Sequence, residues 1–139
     1  MKVTFGMSNT TVSINTRPYH RLGRLARALA HPTRLRIIDT LAQGEACVCH
    51  LTALLKQRQA NISQHLMVLR EANLVRDRRD GLMVYYRLTD GAAGEAVEAL
   101  RALLQGLEPD VEFPAVAAEP VVGCPCPRCG GDGGCDEAP

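Results

Sequence analysis

Tryptophan is absent from these 139 residues, and three tyrosines with two phenylalanines make up the whole aromatic content of 4%. A core must therefore be assembled from leucine, isoleucine, valine and alanine. No apolar run approaches the length that spans a bilayer. The first twenty residues, MKVTFGMSNTTVSINTRPYH, lack the continuous apolar stretch of a secretory signal. A cytoplasmic, non-membrane protein is expected, and in that compartment thiols stay reduced. The six cysteines are then better read as metal ligands or redox groups than as disulfides. The chain also lacks a phosphate-binding loop and any plausible catalytic triad, which argues against an enzyme.

Acidic residues are scarce in the body of the chain. Residues 108–139 hold seven acids and one base, which leaves 15 bases against 8 acids in residues 1–107. The overall charge of +1 thus conceals a basic body and an acidic tail. A basic body suits a polyanion such as double-stranded DNA, although a solvated arginine-rich surface would give the same count.

Residues 1–18 show no sustained period and are expected to form a flexible N-terminal arm. From Tyr19 a helical period begins, with Leu22, Leu25, Ala26 and Leu29 on one face. HPTRLRIIDTLAQG has Pro32 for a first turn, Gly44 for a stop, and Leu35, Ile38 and Leu41 as its inner stripe. ACVCHLTALLKQ predicts a short helix from about Cys47 to Lys56. RQANISQHLMVLREANL predicts an amphipathic helix with Ile62, Leu66 and Leu69 inward and Asn73 near its end. LVRDRRDGLMVYYRL changes to a strand period, with a turn expected at Arg79–Asp80–Gly81. TDGAAGEAVEALRALLQGL restores the helical period through Val97, Leu100, Leu103 or Leu104, and Leu107, with Thr89 or Asp90 able to cap it. Residues 108–139, rich in Pro, Gly, Cys and acids, are expected to be a mobile tail. The fold expected over residues 19–107 is mainly α with a β-hairpin wing, a winged helix-turn-helix. Its first and last helices can bury their apolar faces against a second copy.

Three collinear stretches, LAHPTRLRIIDTLAQGEACVCHL, ANISQHLMVLREANLV and RRDGLMVYYRL, resemble the ArsR/SmtB family of metal-responsive winged-helix repressors. The likeness covers roughly residues 20–105 and is closest to the arsenic- and cadmium-sensing branch around Cys47 and Cys49. It implies a homodimer formed through the first and last helices, a palindromic operator, and release from DNA when an ion binds.

Given that fold, the recognition helix would span about 59–72. Major-groove readers need polar side chains near the helix start, and Gln59, Asn61, Ser63, Gln64 and His65 meet that need. His65 serves equally well as a partner inside the helix pair. Arg58 stands where a Ser or Thr cap is usual, and it is a poor cap. In the wing, Arg78 and Arg79 are expected at the DNA backbone or minor groove. Tyr85 and Tyr86 alternate faces, so one of them belongs to the core.

Thiolates favour soft ions, here trivalent arsenic first, then Cd(II), Pb(II) and Zn(II). Cys47 and Cys49, if both helical, diverge by about 200°, so both can bind one ion only if the first turn is distorted. Two thiolates are too few for arsenic, which takes about three, or for Cd(II) and Zn(II), which take about four ligands. The family's frequent third cysteine is Thr52 here. His50 stands where the family often has Asp, and as a surface or capping residue it is favoured over a nitrogen donor. Cys124, Cys126, Cys129 and Cys135 crowd into CPCPRCGGDGGC. Three readings stand: Cys124 and Cys126 lead the tail in completing the Cys47–Cys49 site, the tail forms its own four-cysteine site, or it buffers metal. The family's zinc site on the last helix needs histidine, and that helix has none. Rival functions are a thiol redox switch on the same fold and, less favoured, a thiol oxidoreductase using CPRC, which lacks a βαβ scaffold.

Overall fold

The computed structural model describes residues 2–4, 11–116, 124 and 129. Its elements are β1 (Lys2–Thr4), β2 (Thr11–Ser13), α1 (Arg17–Leu29), α2 (Pro32–Ala42), β3 (Ala46–Cys47), α3 (Val48–Leu55), α4 (Gln59–Glu71), β4 (Val75–Asp80), β5 (Met83–Leu88) and α5 (Ala92–Leu107). The expected winged helix-turn-helix is present, with α3 and α4 as the helix pair and β4–β5 as the wing. Three elements were not legible as periods. β1 and β2 pair antiparallel, Val3 opposite Val12, within the segment expected to be a flexible arm. Strands of three residues are too short to show alternation. β3, two residues long, adds to the edge of the wing, giving a sheet in the order β3-β5-β4.

The core lies around α2. Ile37, Ile38 and Leu41 meet Leu51 and Leu55 of α3, Ile62, Leu66 and Leu69 of α4, Val75 of β4, and Ala93 and Val97 of α5. Burying each large aliphatic side chain contributes roughly 1.5–3 kcal/mol. Leu35 of the expected stripe is only half-buried, and Ile37 takes its place. The cause is that α2 is covered on several sides, by α3 and α4 and also by α5, so a single stripe underestimates its buried face. α5 comes near α2 at Gly94, where even a Cβ would lie 3.4 Å from Cβ of Ala42, an ordinary contact.

Local chemistry fixes the ends of the helix pair. His31 caps α2, its Nδ1 accepting from the Thr33 amide at 3.1 Å. α3 ends on Lys56 in a left-handed conformation. α4 begins at Arg58 without a side-chain cap, as its sequence implies. It ends in a Schellman motif: Asn73 takes φ 59°, its amide donates to Arg70 O at 3.0 Å, and the Leu74 amide donates to Leu69 O at 2.9 Å. The wing turn differs from expectation by two residues. Asp80 pairs with Met83, so Gly81 and Leu82 form the loop, with Gly81 at φ 60°. Two-residue hairpin loops need positive φ at their first position, and glycine supplies it there. The N-cap of α5 is Gly91 and not Thr89 or Asp90, although Asp90, one residue earlier, accepts from the Ala92 amide at 2.8 Å.

Candidate DNA-reading surface and thiol cluster

The face of α4 opposite Ile62, Leu66 and Leu69 is open. Gln59, Asn61, Ser63 and Gln64 are exposed on it, in the first two turns where base edges come closest. His65 stands apart from them. It is half-buried, its ring centroid 4.3 Å from that of His31, and its Nδ1 is 3.4 Å from Nη1 of Arg34. Burial and the neighbouring His31 and Arg34 hold its pKa below the ordinary histidine value. Arg34 also donates to the Ala28 and Arg27 carbonyls, so His65 meets the junction of α1 and α2.

The two arginines expected at the wing have different surroundings. Arg79 is exposed and pairs across the hairpin with Val84. Arg78 is engaged. Its Nε lies 3.2 Å from both carboxylate oxygens of Glu45, its Nη2 bonds Glu45 Oε1, and its guanidinium sits 4.7 Å from the centre of the Tyr85 ring. The Arg78 hydrogen bond holds the Glu45 carboxyl below its usual range.

The tail reaches the start of α3. Cys47 Sγ is 3.3 Å from Cys124 Sγ, and His50 Nδ1 is 3.0 Å from Cys129 Sγ. The ligand atoms of His50, Cys124 and Cys129 all lie within 4.8 Å of one another. Cys47, Cys124 and His50 are at most 2% exposed. This corrects the expectation for His50, which is a core residue facing a thiol and not a surface group. It also removes the need for a distorted helical turn. Cys47 is extended (φ −84°, ψ 167°) and precedes the helix, its sulfur accepting from the His50 amide at 3.4 Å. Cys47, Cys124 and Cys129 are thiols, whereas Cys49, half-buried beside them, is disulfide-bonded. Cys126 and Cys135 lie outside the described residues.

One row of the sheet joins the two regions. Cys47 of β3 is opposite Tyr85 of β5, and Tyr85 is opposite Arg78 of β4. The two tyrosines divide between the sheet faces as alternation requires. Tyr86 packs on the helical core, and Tyr85, 5% exposed, packs on Cys47 and Cys124. Sequence reasoning named His50 but ranked a nitrogen donor below a surface or capping role, and it missed Glu45 and Tyr85 as parts of this region. The one available signal was the spacing of His50, three residues after Cys47.

Among the described residues, no helix is long and apolar enough to cross a membrane. A family model described as "Bacterial regulatory protein, arsR family" matches residues 31–77, which run from the α2 cap into β4. The chain is 48% identical over 79 residues to the biofilm growth-associated repressor of Agrobacterium fabrum, covering 57% of this chain and 68% of that one. It is 48% identical over 67 residues to the arsenical resistance operon repressor of Escherichia coli, covering 48% of this chain and 57% of that one. Among solved structures, the homodimeric winged helix-turn-helix domain Mb0332 of Mycobacterium bovis superposes with a TM-score of 0.62 at 26% identity, over 73% of this chain and 97% of that one.

Proposed function

From the premise that the chain belongs to the arsR family of bacterial transcriptional regulators, we propose a cytoplasmic homodimeric repressor that leaves a palindromic operator when its cysteines take up a soft ion. The observation that carries this reading is the 3.3 Å approach of Cys124 to Cys47, which brings a distant tail thiol to the helix pair. In this reading Gln59, Asn61, Ser63 and Gln64 face base edges, and Arg79 meets the phosphate backbone. Cys47 and Cys124 belong to the inducer site, with Cys129 beside them and Cys49 available once reduced. Trivalent arsenic, Cd(II), Pb(II) and Zn(II) all suit thiolates.

The switch follows the sheet row. Drawing the Cys47 and Cys124 sulfurs around one ion shifts β3 against Tyr85, which supports the Arg78 guanidinium. Cys47 also starts α3, which packs directly on α4. A change at the thiols thus reaches both the wing and the recognition helix, as coupling between two sites requires.

The test is a titration of operator-bound, fully reduced protein with arsenite, Cd(II), Pb(II) and Zn(II), read by fluorescence anisotropy. Release by an ion is expected for the native chain. The doubly substituted Cys124→Ser, Cys129→Ser chain should need at least about tenfold more ion. The disulfide at Cys49 favours a second reading, a thiol redox switch on the same fold. Release by peroxide, with no release by any ion, would establish that reading and sink the first.

A further inference from the structure

We infer that His50 is a metal ligand, and that the site it completes is made for a tetrahedral divalent ion of the Zn(II) and Cd(II) kind, with trivalent arsenic the poorer fit. This rests on the reading that the thiol cluster binds an ion, and it changes which ion that is.

A histidine following a surface-type helix start has every opportunity to point to water. His50 is instead completely buried, with Nδ1 3.0 Å from Cys129 Sγ. The Cys129 sulfur lies against its ring and that of Cys124 within 4.8 Å, while the Cys47 sulfur accepts from the His50 backbone amide. Two sulfurs and one nitrogen, from Cys124, Cys129 and His50, already stand within 4.8 Å of one another, and Cys47, its sulfur 3.3 Å from that of Cys124, is the thiol at hand to be the fourth donor. Bond lengths of about 2.3 Å to sulfur and 2.0–2.1 Å to nitrogen put tetrahedral donors about 3.5–3.8 Å apart. The observed 3.0 and 3.3 Å contacts, and the 4.8 Å limit on the His50, Cys124 and Cys129 set, bracket that spacing. Closing the tetrahedron requires the Cys47 sulfur to move in toward His50 and Cys129.

Ion class follows from the nitrogen. Zn(II) and Cd(II) accept thiolate and imidazole together in four-coordinate sites. Trivalent arsenic is satisfied by about three thiolates and makes no use of a buried imidazole. A cluster meant for arsenic would need only sulfur, and Cys49 on its edge could supply that sulfur after reduction. A buried imidazole nitrogen beside two thiols, with a third thiol next to them, suits the divalent ions. Loading such an ion releases the protons of three thiols, so binding tightens as pH rises.

The experiment uses the full, reduced chain with Zn(II) alone, then Cd(II) alone and arsenite alone. X-ray absorption at the zinc edge of the native protein is expected to show one nitrogen and three sulfurs. His50→Ala should weaken Zn(II) and Cd(II) binding by at least about tenfold while leaving arsenite within about threefold. His50→Cys should keep Zn(II) binding, turn the shell to four sulfurs, and guard against a fold lost in the alanine variant. A sulfur-only shell in the native chain, or an alanine variant that folds and binds Zn(II) as the native chain does, overturns the assignment of His50. A native chain that binds none of the ions overturns that assignment and the metal-sensing reading together. If the nitrogen-containing shell forms and operator release fails, the ligand assignment stands and only the release reading falls.

Discussion

His65 carries its environment in its proton affinity. Burial acts first, and the positive character of His31 and Arg34 adds to it, so the charged imidazole is disfavoured in the fold. The unfolded chain then holds a proton that the native chain does not, and stability rises with pH across the window below about 6.5. The contribution of neutral His65 is complete above that value and declines as pH falls through it toward the lower folded pKa. His65→Gln, which keeps polarity and bulk but cannot titrate, should flatten the fall of the thermal midpoint between about pH 7.5 and 5, by at most about 0.5 kcal/mol because the ring is partly solvated. An unchanged pH profile would show that the His31–His65 contact has no ionic consequence. The position of His65 on α4 is legible in the sequence, but its neighbours are not. A helical period gives the face of one helix. The arrival of His31 and Arg34 from α2, like that of Cys129 at His50, depends on how separate elements meet, and no local spacing encodes that.

Longer elements declared themselves, and short ones did not. Ile62, Leu66 and Leu69 predict the buried face of α4, and Asn73 predicts its end, because one repeating pattern and one left-handed residue suffice. β3 has only Ala46 and Cys47, and its pairing with β5 is set by the sheet edge it completes. That pairing matters because it puts Cys47, Tyr85 and Arg78 in one row and brings Glu45 within reach of Arg78. Arg78 is thereby engaged by a carboxylate that competes with phosphate for its guanidinium. Glu45→Gln removes the charge that holds it, so operator affinity should rise about three- to tenfold at low salt, and the slope of log K against log salt should steepen by about one contact. Affinities measured from about 50 to 200 mM salt would check this. An unchanged slope would mean that Arg78 does not reach phosphate even when released from Glu45.

At the scale of the molecule, the two outer helices leave apolar surface uncovered. Leu22 is 59% exposed on α1, and Leu103 and Leu107 are 60% and 72% exposed on α5. A groove of about 510 Å³ lined by Leu35, Leu100, Leu104 and Phe113 continues the α5 side inward. Both faces are apolar stripes in the sequence, and the core is complete without them, so their pattern already implies a partner surface. A second copy satisfies this best, since an apolar face presented by each copy can meet its counterpart across a twofold axis. An operator with two half-sites then gains its affinity from two reading helices held by one interface. Leu103→Glu would bury a carboxylate in that interface without touching α4 or the thiols. Sedimentation is expected to show a dimer for the native chain and a monomer for the variant at the same concentration, and operator affinity should fall at least about tenfold. The thermal midpoint of the native chain should rise with concentration, and that of the variant should not. A variant that stays dimeric with full operator affinity would place the subunit contact elsewhere and leave the exposed leucines of α5 to another partner.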